Sequence, residues 1–190
     1  MGIGGPIART AVFLDRDGVI NRAVVKDGKP YPPQSLGEIE ILPGVAEAIR
    51  SLTAAGFLVV VVSNQPDVAR GTQSREAVES MNRHLGSILG IEHFQVCYHD
   101  DGDNCHCRKP KPGLLTDAAA LLGIDLSGSV LVGDRWRDIS AGKAAGCRTI
   151  WIDRGYRERQ PEDYDFRAAS LLDASRWIVA RDKQIKREQR

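Results

Sequence analysis

The stretch Phe57-Leu58-Val59-Val60-Val61-Val62-Ser63-Asn64-Gln65 decides the fold. Six apolar residues run without a break, and polar residues follow at once. A strand with one wet face alternates apolar and polar side chains. An unbroken run belongs to a strand covered on both faces, as in a parallel sheet. Ala11 to Leu14, Val130 to Val132 and Thr149 to Ile152 read the same way, and Phe94 to Cys97 reads so more weakly. Helical segments fall between them. One covers 45–55, opened by Pro43-Gly44 and closed by Gly56, and another covers 75–89 with Ser74 as its N-cap. Further helices are predicted over 114–122, 139–145 and 166–180. Strand and helix alternate, so the fold class is α/β with a doubly wound parallel sheet.

The chain has 190 residues, 42% hydrophobic and 27% charged, the composition of one globular domain whose core closes unaided. No repeat, low-complexity segment or Gly/Pro/Ser linker divides residues 1–190. The 26 basic and 25 acidic side chains leave a net charge of +1, which offers no field for nucleic acid. The tail 181–190 holds five basic and two acidic residues and reads as a solvated helix end. The longest apolar run has six residues, against the roughly 20 that span a bilayer. The start Met1-Gly2-Ile3-Gly4-Gly5-Pro6 lacks both a leader pattern and the Ser or Thr that myristoylation requires at Pro6. The expectation is a cytoplasmic monomer with neither membrane nor nucleic acid among its partners. Its four cysteines are therefore read for a reducing compartment.

On a doubly wound sheet, ligands bind beyond the carboxyl ends of the strands. The residues found there are Asp15-Arg16-Asp17-Gly18, Ser63-Asn64-Gln65 and Gly133-Asp134-Arg135-Trp136-Arg137-Asp138. Asp15 and Asp17 would face opposite ways in extended backbone, so the chain must curl for both to meet one substrate, and Gly18 permits the turn. Asp134 adds a carboxylate for a hard cation such as Mg²⁺. Ser63 offers a donor to an anionic oxygen, and Lys109 follows in the stiff Arg108-Lys109-Pro110-Lys111-Pro112. Acids, a cation site, a hydroxyl and a lysine make up the kit for phosphoryl transfer. Asp138 serves either as support for that site or as the cap of the following helix.

Residues 13–21, 62–65, 108–110 and 132–138 resemble the four motifs of the haloacid dehalogenase (HAD) superfamily of phosphatases, in order and over most of the chain. Within it the chain is similar to the branch holding D-glycero-D-manno-heptose 1,7-bisphosphate 7-phosphatases and histidinol-phosphatases. The resemblance implies a three-layer α/β/α Rossmann-like fold. It implies Asp15 as the nucleophile that forms an aspartyl-phosphate, Asp17 as general acid and base, and Ser63 and Lys109 as stabilisers of the phosphoryl oxygens. Mg²⁺ would be held by Asp15, Asp134 and the backbone carbonyl of Asp17. Asn64, Gln65, Arg108 and Arg135 would contact the substrate, a small phosphorylated sugar or related metabolite. No stretch is long enough for a cap domain, since residues 21–42 make a flap at most.

Cys97-x-His99 and Cys105-x-Cys107 lie within 11 residues. Three thiolates and an imidazole match a closed, structural zinc site over the loop 97–107. His93 and His106 compete for the histidine place, and the resemblance favours His99. Such a zinc would preset Arg108 and Lys109, the next residues along. Asp100, Asp101 and Asp103 read as solvated turn residues, and Cys147 as a small buried hydrophobe. Arg70-Gly71 and Val19-Ile20-Asn21 favour heptose bisphosphate as the substrate over histidinol phosphate. Pro66 and Asp67 depart from the heptose pattern. A zinc-stabilised binding protein without catalysis is the alternative of a different class.

Overall fold

The computed structural model describes residues 9–188. The leader and myristoylation readings rest on residues before these, and the end of the basic tail lies after them. A six-stranded, all-parallel sheet forms the centre. Its strands are β1 (Ala11–Leu14), β4 (Leu58–Asn64), β5 (His93–Cys97), β6 (Val130–Gly133), β7 (Arg148–Ile152) and β8 (Phe166–Ala168), in the order β5-β4-β1-β6-β7-β8. Between β1 and β4 come the hairpin strands β2 (Val24–Lys26) and β3 (Lys29–Tyr31). The helices are α1 (Val45–Ala54), α2 (Arg75–Leu89), α3 (Gly113–Leu122), α4 (Trp136–Ala144) and α5 (Leu171–Glu188).

Apolar residues on alternate sides of each strand feed two cores, which is why the strands read as continuous runs. Val12, Leu14, Val59, Val61 and Val132 pack with Val45, Leu52, Leu171 and Ile178 of α1 and α5. Ala11, Phe13, Val60, Val62 and Leu131 pack on the other face with Leu114, Leu115 and Ala118 of α3 and Ala141 of α4. Helices cover both faces, giving the expected three-layer α/β/α arrangement, with no large cap among the described residues. Cys147 belongs to the second core, as a small hydrophobe should.

The order reverses at β1, whose neighbours β4 and β6 follow it by crossovers on opposite sides. The crevice at such a reversal is where an open α/β sheet binds its ligand, and β1, β4 and β6 all end there in polar residues.

Two elements depart from the sequence reading by more than two residues. Helix α4 starts at Trp136, three residues early, because Asp138 accepts from the Arg135 amide (3.0 Å) and so caps the helix from within its first turn. The helix expected over 166–180 divides into β8 and α5. Residues 166–168 gain more by pairing with β7 than by continuing a helix, and Phe166 then stacks on Trp177 at 5.2 Å. The predicted flap is the small β2–β3 hairpin followed by a short 3-10 turn at Leu36–Glu38. No helix among the described residues is long and apolar enough to cross a membrane.

Candidate active site

Asp15 follows β1, and its amide continues the ladder by donating to Val132 O at 3.0 Å. The backbone then curls, with the amides of Ile20 and Asn21 both donating to Arg16 O. Gly18 makes the curl possible twice over. Its φ is +89°, and a Cβ there would fall on Oδ2 of Asp134. This turn brings Asp15 and Asp134 side by side.

A cleft of about 210 Å³ opens above these strand ends. Asp15, Asp17, Ser63, Asn64, Arg108, Lys109, Arg135 and Asp138 are among its lining residues. Lys109 is buried, and its Nζ donates to Asp15 Oδ1 at 2.9 Å and to Val62 O at 2.7 Å. It also pairs with Asp138 Oδ1 at 2.6 Å. Burial opposes the charge on Lys109, but Asp138 and Asp15 more than offset it and hold its pKa up. Asp138 thus does two things at once, capping α4 with one oxygen and fixing Lys109 with the other.

Oxygens of Asp15, Asp134 and Asp138 lie within 4.8 Å of one another. Burial raises the Asp15 pKa to about 6, the Lys109 charge lowers it, and Asp138 and Asp17 add to the rise. Burial, then Asp15 and Asp138, push Asp134 well above the usual carboxylate range. Asp134 Oδ2 accepts from Tyr156 Oη at 2.8 Å, while Oδ1 is buried without any partner. An orphaned carboxylate oxygen beside a second buried carboxylate fits a hard divalent cation, which would satisfy the oxygen and relieve the repulsion. The Asp17 side chain stands outside this cluster, so only its backbone carbonyl remains as the expected ligand.

The Asp17 carboxylate is gripped from three sides. Arg16 donates through Nε and Nη2 (3.2 and 3.0 Å), Asn21 at 2.9 Å and Gln65 at 2.8 Å. Arg16 is fully buried, and Asn82 of α2 accepts from its Nη1 at 2.9 Å. Asn82 and Arg16 therefore orient Asp17 through a chain that sequence reading missed. The residues predicted to contact substrate divide. Gln65 is fully buried with its amide on Asp17 and Ser63. Asn64 borders the cleft, and its side chain bonds the backbone of Lys109 in both directions (3.0 and 3.1 Å). Ser63 and Gln65 share one face of the strand and Asn64 the other, as the period of two requires. Arg108 and Arg135 line the cleft. Arg135 is held by Glu158 at 2.9 Å, and Arg108 by Asp101 at 2.8 Å.

Beyond β5, Cys97, His99, Cys105 and Cys107 converge. Sulfur–sulfur distances run from 3.1 to 3.7 Å, and His99 Nδ1 is 3.5 Å from both Cys97 and Cys107. A tetrahedron with Zn–S near 2.3 Å has edges of about 3.8 Å, close to two of the three sulfur–sulfur distances and longer than the Cys97–Cys107 one, so a zinc ion would need only a small spreading of that pair. Burial and the adjoining thiols push the Cys107 pKa up strongly. His106 points elsewhere and pairs with Asp117 at 2.8 Å, and His99 is the histidine whose ring meets the three cysteines. Asp100 and Asp101 are not idle turn residues as read from sequence. Asp100 accepts from Arg70 (2.8 and 2.6 Å), and Asp101 accepts from Arg108 and Arg137. Elemental analysis is expected to find about one zinc per chain. Cys105→Ala should lower that content and reduce kcat/KM by about ten-fold or more while the protein still melts cooperatively, since the loop leads directly to Arg108 and Lys109. Undiminished kcat/KM in zinc-free protein would show that the loop does not set those two side chains.

Comparison with known proteins places this geometry. The HAD-hydrolase-like family model matches residues 106–174. A D-glycero-β-D-manno-heptose-1,7-bisphosphate 7-phosphatase of Pseudomonas aeruginosa is 36% identical over 154 residues, covering 78% of this chain and 84% of its own. A D-glycero-α-D-manno-heptose-1,7-bisphosphate 7-phosphatase of Mycobacterium tuberculosis is 39% identical over 158 residues, covering 74% and 78%. The crystal structure of D,D-heptose 1,7-bisphosphate phosphatase from B. bronchiseptica, complexed with magnesium and phosphate, superposes with a TM-score of 0.77 at 31% identity, covering 90% of this chain and 99% of that one. With this identity sustained over most of each relative, the chain belongs to the heptose-1,7-bisphosphate 7-phosphatase family of HAD-like phosphatases.

Proposed function

We propose that the protein is a Mg²⁺-dependent phosphatase that removes the 7-phosphate of D-glycero-D-manno-heptose 1,7-bisphosphate through an aspartyl-phosphate on Asp15. The observation that carries this reading is the placement of Asp15. One of its oxygens is tied to Lys109 and its carboxylate lies within 4.8 Å of that of Asp134, whose Oδ1 is buried without a partner, at the floor of a cleft lined by Ser63 and arginines.

Asp15 attacks the phosphorus, the bond from phosphorus to the C7 oxygen breaks, and Asp17 gives that oxygen a proton. Water then attacks the phosphoryl group on Asp15. Asp17 takes the water's proton, the bond to Asp15 breaks and inorganic phosphate leaves. Lys109 and Ser63 hold the phosphoryl oxygens as charge redistributes, in a site already organised before substrate arrives. Arg16, Asn21 and Gln65 orient the Asp17 carboxylate, and Tyr156 orients Asp134. Asp15 and Asp134, with the Asp17 carbonyl, would hold Mg²⁺, which lowers the repulsion between an anionic nucleophile and an anionic phosphate. The four-ligand cysteine–histidine site would hold structural zinc.

The test compares kcat/KM for both anomers of the heptose bisphosphate, histidinol phosphate and an aryl phosphate, with and without Mg²⁺. The heptose bisphosphate should lead by about ten-fold or more, about 1.4 kcal/mol of transition-state binding, and chelation should stop turnover of every substrate. Equal or better turnover of histidinol phosphate would assign the chain to that substrate instead. No phosphate release from any of them would leave a binding protein.

A further inference from the structure

The rim of the cleft carries a carboxylate where a phosphate would fit. Asp101, in the short turn Asp101–Asp103 of the cysteine–histidine loop, accepts from Arg108 Nε at 2.8 Å. It also accepts from Arg137 Nη1 at 2.9 Å and Arg137 Nη2 at 3.1 Å. All three residues line the same cleft as Asp15 and Ser63. The two arginines are largely enclosed, with side chains 11% and 25% exposed, whereas Asp101 is 56% exposed. Moreover, Nη1 of Arg108 is buried and has no partner at all. A guanidinium fork matches phosphate as well as it matches carboxylate. A phosphate monoester offers a third oxygen and more charge than Asp101 can, enough to engage the nitrogen that Asp101 leaves unpaired.

We propose that Arg108 and Arg137 form the seat of the substrate's second phosphate, and that Asp101 fills this seat until the phosphate displaces it. The inference rests on the bisphosphate reading above, because a substrate with one phosphate at Asp15 and another at the far end of the sugar needs a second cationic seat in the cleft. Asp101 is well placed to yield. Its side chain is more than half exposed, so water can solvate it as it swings out. Asp101 offsets part of the charge of the resting seat, so the two arginines repel one another less. A ligand with one phosphate, bound at Asp15, leaves Asp101 in place and is indifferent to this exchange.

The experiment measures, on the zinc-loaded protein, the ratio of kcat/KM for the heptose bisphosphate to kcat/KM for an aryl monophosphate. Asp101→Asn removes the competing charge and should raise this ratio several-fold. Arg137→Gln removes part of the seat and should lower it about ten-fold, the size of one charge-assisted contact. Asp101→Ser, equally uncharged, should move the ratio in the same direction as Asp101→Asn and guards against a fault peculiar to one variant. The opposed signs are what separate this from a role in loop stability. If Asp101 only braced the loop, its variants would lower the ratio with Arg137→Gln, and that outcome, or no movement in any variant, overturns the proposal. A wild-type ratio near one would instead overturn the substrate reading. In that case opposite responses with fructose 1,6-bisphosphate as probe would still support the seat, and parallel responses would overturn it.

Discussion

Asp15→Asn is expected to reduce phosphate release from every substrate by about four orders of magnitude or more, because an amide oxygen cannot form the acyl-phosphate. The fold should survive, since Asn fills the same volume at the end of β1. Asp17→Asn should also be severely slowed, yet it can still transfer a phosphoryl group to Asp15, so phosphorylated Asp15 should accumulate in that variant only. Phosphate-release assays and intact-mass measurement check both statements, and the mass also excludes deamidation of the introduced asparagine back to aspartate. Activity above about a hundredth of wild type in verified Asp15→Asn protein would remove the covalent mechanism.

Lys109→Met should be the most damaging single change to stability. Lys109 is 2% exposed and is the shared counter-charge of Asp15 and Asp138. Removing it leaves two buried carboxylates unpaired, which costs on the order of 3–5 kcal/mol. For a chain of this size that corresponds to a fall in Tm of roughly 6–20 °C. The loss should depend on pH. The Asp15 pKa already stands at about 6 in the presence of Lys109, whose charge lowers it, so without the lysine it stands higher. A carboxyl with a folded-state pKa above its unfolded value binds more protons when folded, and stability is lost as pH rises through the folded-state pKa. Metal-free Lys109→Met should therefore lie nearer to wild type at pH 5 than at pH 8, and Mg²⁺ should restore part of the difference at pH 8. Thermal melts of both proteins at the two pH values, with and without Mg²⁺, measure this. An equal Tm loss at both pH values would mean that the lysine acts by packing and not by charge.

Tyr156 and the Arg16–Asn82 pair show what long-range contacts add. Tyr156 reaches Asp134 from the loop after β7, and no motif in the chain announces it. Arg16 looks like the solvent-facing spacer of an Asp-x-Asp turn. It is buried instead because Asn82, 66 residues away on α2, accepts from its guanidinium. Gln65 reads as a strand-end amide available to a ligand, and it turns inward because the Asp17 carboxylate waits beneath it. β8 has three residues, too short to signal itself, and it becomes a strand only because β7 offers an edge.

By itself, the sequence determined the parallel sheet, through apolar runs that suit only strands buried on both faces. It also determined the polar residues at the ends of β1, β4 and β6, and the cysteine–histidine spacing whose four atoms meet within one loop. These signals are local, carried by neighbours along the chain. Tertiary structure alone decided which oxygen of Asp134 lacks a partner, which carboxylates share Lys109, and that Asp101 lies between Arg108 and Arg137. Each of these depends on charges brought together from distant segments, where burial strips away water and makes every pairing count.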